Sequence, residues 1–256
     1  MKTKKIRAGV FSFTACYGCQ LQLFKAEEFM ETIKAIDFVD FELVSEKSDE
    51  KTALDAAFVE GAIARAEQVP LLKKIRERTS FLVAIGACAC DGGIPAIKSF
   101  CNEAEAERTV YSEDFRKNLH SISPRPIDAH VKVDYYMRGC PVERTEFHKV
   151  ARALALGRRP REKRQPVCVE CKIKENVCLF ELGRTCLGPI TNGGCKALCP
   201  SNNAACEGCR GASWDANLPA FVGLLERYNV PRSRIKQMLQ RFSGRNKEFE
   251  EFVKKL

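Results

Sequence analysis

The sequence predicts an α/β fold: a doubly wound parallel sheet, followed by an irregular cysteine-rich segment and C-terminal helices. Three observations predict it. The first half alternates short apolar runs with amphipathic segments, as a parallel sheet covered by helices requires. Eight of the fourteen cysteines then fall between Cys168 and Cys209, where regular periodicity almost vanishes. Helical periodicity returns from Asn217 to the end. A length of 256 residues suits a core domain with a smaller appendage.

In chain order, the apolar runs place strands at residues 6–13, 38–43, 56–60, 81–85 and 131–133. Residues 21–33, 64–78 and 143–156 carry apolar side chains at helical spacing. A linker rich in Arg and Pro, residues 157–166, breaks the pattern. The cysteine-rich segment cannot hold itself together by apolar burial, so metal-thiolate bonds are the expected substitute for a core. In the last segment Pro219 and Pro231 sit near helix starts and Gly244 at a break. The domains expected are thus 1–157, 158–216 and 217–256.

Apolar residues make up 45% of the chain and charged residues 29%, ordinary values for a globular protein. The net charge of +9 is scattered along the chain with no aromatic-basic recognition module, so no nucleic-acid partner is expected. Residues 1–7 are basic, but the apolar run 8–15 is short and broken by Ser12 and Thr14, so no signal peptide is expected, and no twin-arginine signal precedes it. No apolar stretch approaches the length of about eighteen residues that a membrane span needs. A cytoplasmic, reduced chain with fourteen cysteines points to metal.

Cys16 and Cys19 form a C-x-x-C directly after the first expected strand. Alone, that spacing suits a redox pair, a zinc half-site or a cluster half-site. Cys88 follows the fourth strand within Gly86-Ala87-Cys88-Ala89-Cys90-Asp91-Gly92-Gly93, and Cys140 follows the fifth within Arg138-Gly139-Cys140-Pro141. Ligands in open α/β sheets sit beyond the carboxyl ends of the strands, so these four thiols are expected to gather on one edge. The glycines at 86, 92, 93 and 139 would let backbone pass close to an inorganic core, or serve turns alone. The second segment offers Cys168, Cys171, Cys178, Cys186, Cys195, Cys199, Cys206 and Cys209, enough for two sites of four thiolates, either zinc or 4Fe-4S.

The motifs together resemble the small subunits of nickel-iron hydrogenases, most closely the delta subunits of cytosolic, NAD(P)-linked sulfhydrogenases. Cys16-Tyr17-Gly18-Cys19-Gln20-Leu21-Gln22-Leu23, Val59-Glu60-Gly61-Ala62, Gly86-Ala87-Cys88-Ala89, Gly139-Cys140-Pro141, Cys168-Val169-Glu170-Cys171, Cys186-Leu187-Gly188-Pro189 and Cys206-Glu207-Gly208-Cys209-Arg210-Gly211 carry the similarity, which spans nearly the whole chain. The resemblance implies a flavodoxin-like first domain and three 4Fe-4S clusters. A proximal one would sit on Cys16, Cys19, Cys88 and Cys140, a second on Cys168, Cys171, Cys178 and Cys186, and a third on Cys195, Cys199, Cys206 and Cys209. Three cubanes on four thiolates each would contribute roughly −2 apiece and bring +9 to about +3.

The implied function is electron transfer within a soluble hydrogenase, between the nickel-iron site of a large subunit and flavin/NAD(P)-binding and further iron-sulfur subunits. No residue of this chain is expected to be catalytic. Cys168 stands where periplasmic relatives commonly use histidine, which should lower that cluster's potential, and the third quartet has four thiolates where some relatives have three. The alternatives are the small subunit of a hydrogenase coupled to heterodisulfide reductase, and a structural zinc or redox-sensing binding module. The cluster subunit of respiratory complex I lacks the second cysteine-rich domain.

Cys90 and Cys101 are left over and read as buried packing thiols. Glu60, at the end of a strand, reads as an acceptor for local backbone amides, with a large-subunit contact as the other possibility. His120, His130 and His148 are assigned to no metal. Trp214 and Phe221 are expected to cover the nearby cluster by apolar packing.

Overall fold

The computed structural model describes residues 5–24, 29–44, 49–116 and 120–256. Its strands are β1 (Ile6–Ser12), β2 (Ile36–Phe41), β3 (Leu54–Glu60), β4 (Ile63–Arg65), β5 (Thr79–Ile85), β6 (Ser121–Arg125) and β7 (Tyr135–Met137). β1, β2, β3, β5 and β7 form one sheet in the order β2-β1-β3-β5-β7, parallel throughout. Counted along the chain this is the 2-1-3-4-5 order of the flavodoxin-like doubly wound fold.

The central strands are buried on both faces, which is why they read as nearly unbroken apolar runs. Side chains alternate between faces with period two. Val10, Phe58, Val83 and Ile85 join one core with Phe147, Val150 and Ala151 of the helix Arg144–Ala155. Phe11, Ala57, Val59, Leu82 and Ala84 join the opposite core, with Leu72 of the helix Gln68–Glu77. Phe58 and Phe147 pack ring to ring at 4.7 Å. Glu143 caps Arg144–Ala155, its carboxylate accepting the Glu146 amide at 2.9 Å.

Several expected boundaries shift. Residues 131–133 alternate like a strand but are not one, because the Val131 amide closes a turn onto the Ile127 carbonyl. The edge strand is β7, entered at Asp134, whose amide donates to the Leu82 carbonyl and whose carboxylate accepts the Leu82 amide, both at 2.9 Å. Residues 64–78 are not one helix: β4 comes first and pairs with β6 in a two-stranded antiparallel sheet. The side-chain Oε1 of Gln68 accepts the Ala64 and Arg65 amides where the chain turns into Gln68–Glu77. Within 21–33, helices span Gly18–Phe24 and Phe29–Ala35, and residues 25–28 lie outside the described residues.

The cysteine-rich segment has the short helices Val167–Ile173 and Leu198–Ser201 and little apolar core of its own. Its buried cluster consists of Val167, Leu179 and Ala197 with Cys186 and Cys206. The helices Leu218–Arg227, Arg232–Ser243 and Lys247–Val253 follow, the first with Pro219 in its first turn and the second with Pro231 before it. Their Phe221, Leu225, Ile235, Leu239 and Phe249 share a core with Leu187 and Ile190. Asn246 fastens this end to the helix Gly86–Asp91 that follows β5, its side-chain amide donating to Asp91 at 3.0 Å. Among the described residues no helix is long and apolar enough to cross a membrane.

Candidate metal centres

The first quartet lies where the sheet ends. Cys16 follows β1, Cys19 enters the helix Gly18–Phe24, Cys88 lies in the helix Gly86–Asp91 after β5, and Cys140 follows β7. The Cys19 thiol feels the charges of Cys88 and Cys140, and Cys88 feels those of Cys140 and Cys16, so the four are electrostatic neighbours. Burial and then the neighbouring Cys140 push the Cys88 thiol up to about 12. Burial, with Glu60 second, pushes Cys19 well above the usual thiol range. Burial raises the Cys140 thiol as well, so Cys19, Cys88 and Cys140 disfavour carrying bare negative charge, and a bound cation core would remove that penalty.

Glu60, at the end of β3, is 2% exposed and accepts the Cys19 amide at 3.1 Å, the local backbone role read from the sequence. Two glycines make the space. A Cβ on Gly86, whose φ is +85°, would lie 2.5 Å from the Cys19 sulfur, and one on Gly93, φ +54°, would lie 2.6 Å from the Cys88 sulfur. Both need glycine for the left-handed backbone and again for the sulfur beside it.

The second quartet is Cys168, Cys171, Cys178 and Cys186, which line one small apolar pocket together with Phe180 and Pro189. Donors point at the sulfurs: the Cys206 amide at Cys186, 3.2 Å, and the Asn176 side-chain amide at Cys171, 3.5 Å. In the third group Cys195 is a neighbour of both Cys199 and Cys209, and Cys206 of Cys209. This group also touches both others. Cys209 adjoins Cys140 and receives a hydrogen bond from its amide, while Cys206 and Cys199 adjoin Cys186.

Among the described residues no three His, Cys, Asp or Glu side chains converge on a single ion. Four thiolates on a cubane each bind a different iron and need no such convergence. The donor set is all sulfur, with glycine clearance and amide donors around it, and it fits 4Fe-4S clusters.

Cys90 is buried, its thiol 3.5 Å from the Ala84 carbonyl, as a packing thiol should be. Cys101 is not: it is exposed, its thiol donating to the Lys98 carbonyl at the close of a surface turn. Trp214 covers no quartet either. It is 70% exposed, its indole N–H donating to the Arg164 carbonyl of the linker at 2.9 Å, whereas Phe221 is buried beside Leu187 and Ile190. His148 bonds Thr32, His130 is partly buried and His120 exposed.

Two acidic residues were not singled out by the sequence. Glu170, inside the first C-x-x-C of the second segment, accepts the Gly194 amide at 2.9 Å and the Ala197 amide at 3.2 Å and pairs with Lys163. Burial raises its pKa, and these bonds more than offset that, holding it below the usual carboxylate range. Glu146 pairs with the buried Arg210. A carboxylate between two cysteines was the one visible signal.

Residues 16–154 match the family described as NADH ubiquinone oxidoreductase, 20 Kd subunit, a match that ends before Cys168. Sulfhydrogenase 2 subunit delta of Pyrococcus furiosus is 35% identical, with 93% of this chain and 99% of that one covered. A subunit of the F420-non-reducing hydrogenase of Methanocaldococcus jannaschii is 30% identical, covering 92% and 98%. Among solved structures, an NAD+-reducing [NiFe]-hydrogenase in its H2-reduced state superimposes with a TM-score of 0.51 at 29% identity, covering 62% of this chain and 95% of that one. The two relatives run through the cysteine-rich segment as well as the sheet, and the chain therefore belongs to the family of the 20 kDa NADH–ubiquinone oxidoreductase subunit and, within it, to the small subunits of nickel-iron hydrogenases.

Proposed function

We propose that the chain is the electron-transfer small subunit of a cytoplasmic nickel-iron hydrogenase, holding three 4Fe-4S clusters between a large subunit and a flavin/NAD(P)-binding or other redox subunit. The contiguity of the three thiol quartets carries this reading, since Cys140 adjoins Cys209 and Cys206 adjoins Cys186. The proximal cluster would sit on Cys16, Cys19, Cys88 and Cys140, the middle one on Cys195, Cys199, Cys206 and Cys209, and the distal one on Cys168, Cys171, Cys178 and Cys186. Bound there, such clusters supply one-electron redox chemistry.

The chain's own contribution is to hold the thiols at set separations, to offer amide donors to the sulfurs and to keep water out. Cys16 and its neighbour Cys140 are exposed, as are Tyr17 and Leu21 just after Cys16 in the chain, which supports a partner subunit covering that face. An NAD+-reducing relative supports a pyridine-nucleotide-linked acceptor, and the runner-up is the small subunit of a hydrogenase coupled to heterodisulfide reductase.

Metal and acid-labile sulfide analysis of the anaerobically purified protein tests the proposal. About twelve irons per chain on a brown protein is the expected result. About two zincs on a colourless one would overturn it. Replacing Cys88 with Ala should abolish hydrogen-dependent reduction of distant acceptors.

A further inference from the structure

Arg210 is a cation in an unusual place. It directly follows Cys209, its side chain is 6% exposed, and every arm of the guanidinium is engaged. Nε donates to the Gly193 carbonyl at 2.7 Å, and Nη1 donates to the carbonyl of Arg138, two residues before Cys140. Nη1 and Nη2 hold both oxygens of Glu146, at 2.9 and 3.1 Å. Gly194, next to Cys195, leaves the room: a Cβ there would run into Nη2. One buried charge thus touches the loops that carry Cys140 and Cys195 and adjoins Cys209 in the chain. The charges of Cys195 and Cys209 act on it in turn.

Adding an electron to a cluster adds one negative charge, which a fixed cation nearby stabilises and a fixed anion opposes, most strongly where water is excluded. We propose that Arg210 and Glu146 are an opposed pair of positioning charges that sets the reduction potential of the middle cluster, on Cys195, Cys199, Cys206 and Cys209. Arg210 raises that potential and Glu146 lowers it. The inference rests on the three-cluster reading above.

The test is a reductive titration of the intact hydrogenase complex followed by electron paramagnetic resonance, with iron content measured alongside. Arg210→Gln should move the middle-cluster midpoint to more negative potential and Glu146→Gln to more positive potential. Each shift should be of the order of tenfold in the reduced-to-oxidised ratio, about 59 mV for one electron. The double variant should return towards the parent, and Arg210→Lys should shift less than Arg210→Gln.

A purely structural brace predicts the same sign, or none, for both single variants, and that result with iron intact would overturn the inference alone. If Arg210→Gln loses iron, Glu146→Gln and Arg210→Lys decide: an unshifted or more negative midpoint in Glu146→Gln overturns the assignment. A parent protein without a middle-cluster signal and its iron would overturn the proposed function itself.

Discussion

Replacing Gly86 with alanine separates the two demands made on that glycine. Its φ of +85° puts any side chain in left-handed backbone, which costs about 1–2 kcal/mol. The new Cβ would also stand 2.5 Å from the Cys19 sulfur. That sulfur has little room to retreat, because Cys19 is buried and its amide is held by Glu60. Overpacking of this kind costs about a further 1–3 kcal/mol. Gly157 supplies the control: its φ is +66° but nothing lies within 4 Å of its Cβ position, so alanine there carries the backbone cost alone.

The expected outcome is that Gly157→Ala lowers stability by about 1–2 kcal/mol and keeps all its iron. Gly86→Ala should lose about 2–5 kcal/mol of a total stability of about 5–15 kcal/mol. It should also lose the proximal cluster, about four of about twelve irons. Denaturant titration of the cluster-free chains and iron analysis of the loaded ones read the two effects. Equal stability and full iron in both variants would refute the clearance argument.

Cys90→Ser should leave iron content unchanged and cost about 1–3 kcal/mol, because a hydroxyl would replace a packed sulfur in the core, while Cys101→Ser should change neither; iron loss in Cys90→Ser would transfer the ligand role from Cys88. Glu170→Gln should loosen the loop 193–197 and destabilise the cysteine-rich segment by about 1.5–3 kcal/mol, read as faster amide exchange at Gly194 and Ala197. The same carboxylate sets a pH dependence. Its folded pKa is depressed, so its contribution is fully present above the ordinary glutamate value and is lost as pH falls through the lower folded one; melting curves of the cluster-free protein from pH 6 towards acid should show a loss that Glu170→Gln lacks. Stripping the iron with a chelator should raise amide exchange across residues 167–209 far more than in β3 and β5, whose cores are apolar.

Much of the fold was legible because burial on two faces writes itself as continuous apolar runs: β1, β3 and β5 fall within two residues of their expected bounds. The edge was not. At 131–133 the alternation of Val and Lys imitates a strand, and only the turn from Ile127 to Val131 and the capture of Asp134 by Leu82 decide that the ladder starts later. A three-residue strand such as β4 has too short a pattern to distinguish it from the helix that follows.

By itself the sequence supplied the donors: twelve thiols in motif spacing, glycines beside them, and apolar runs that predict a sheet with four of those thiols beyond its carboxyl edge. A C-x-x-C keeps its two sulfurs together whatever the rest of the chain does. Which quartets are neighbours depends on how far a loop travels before returning, and order along the chain does not encode that distance. Only the tertiary structure decided that Cys209 returns to Cys140 and Cys206 to Cys186, so that the last quartet adjoins both others. It alone brought Glu146, from a helix packed on the sheet, onto Arg210, 64 residues away in sequence, because a buried guanidinium must find a carboxylate wherever the fold presents one.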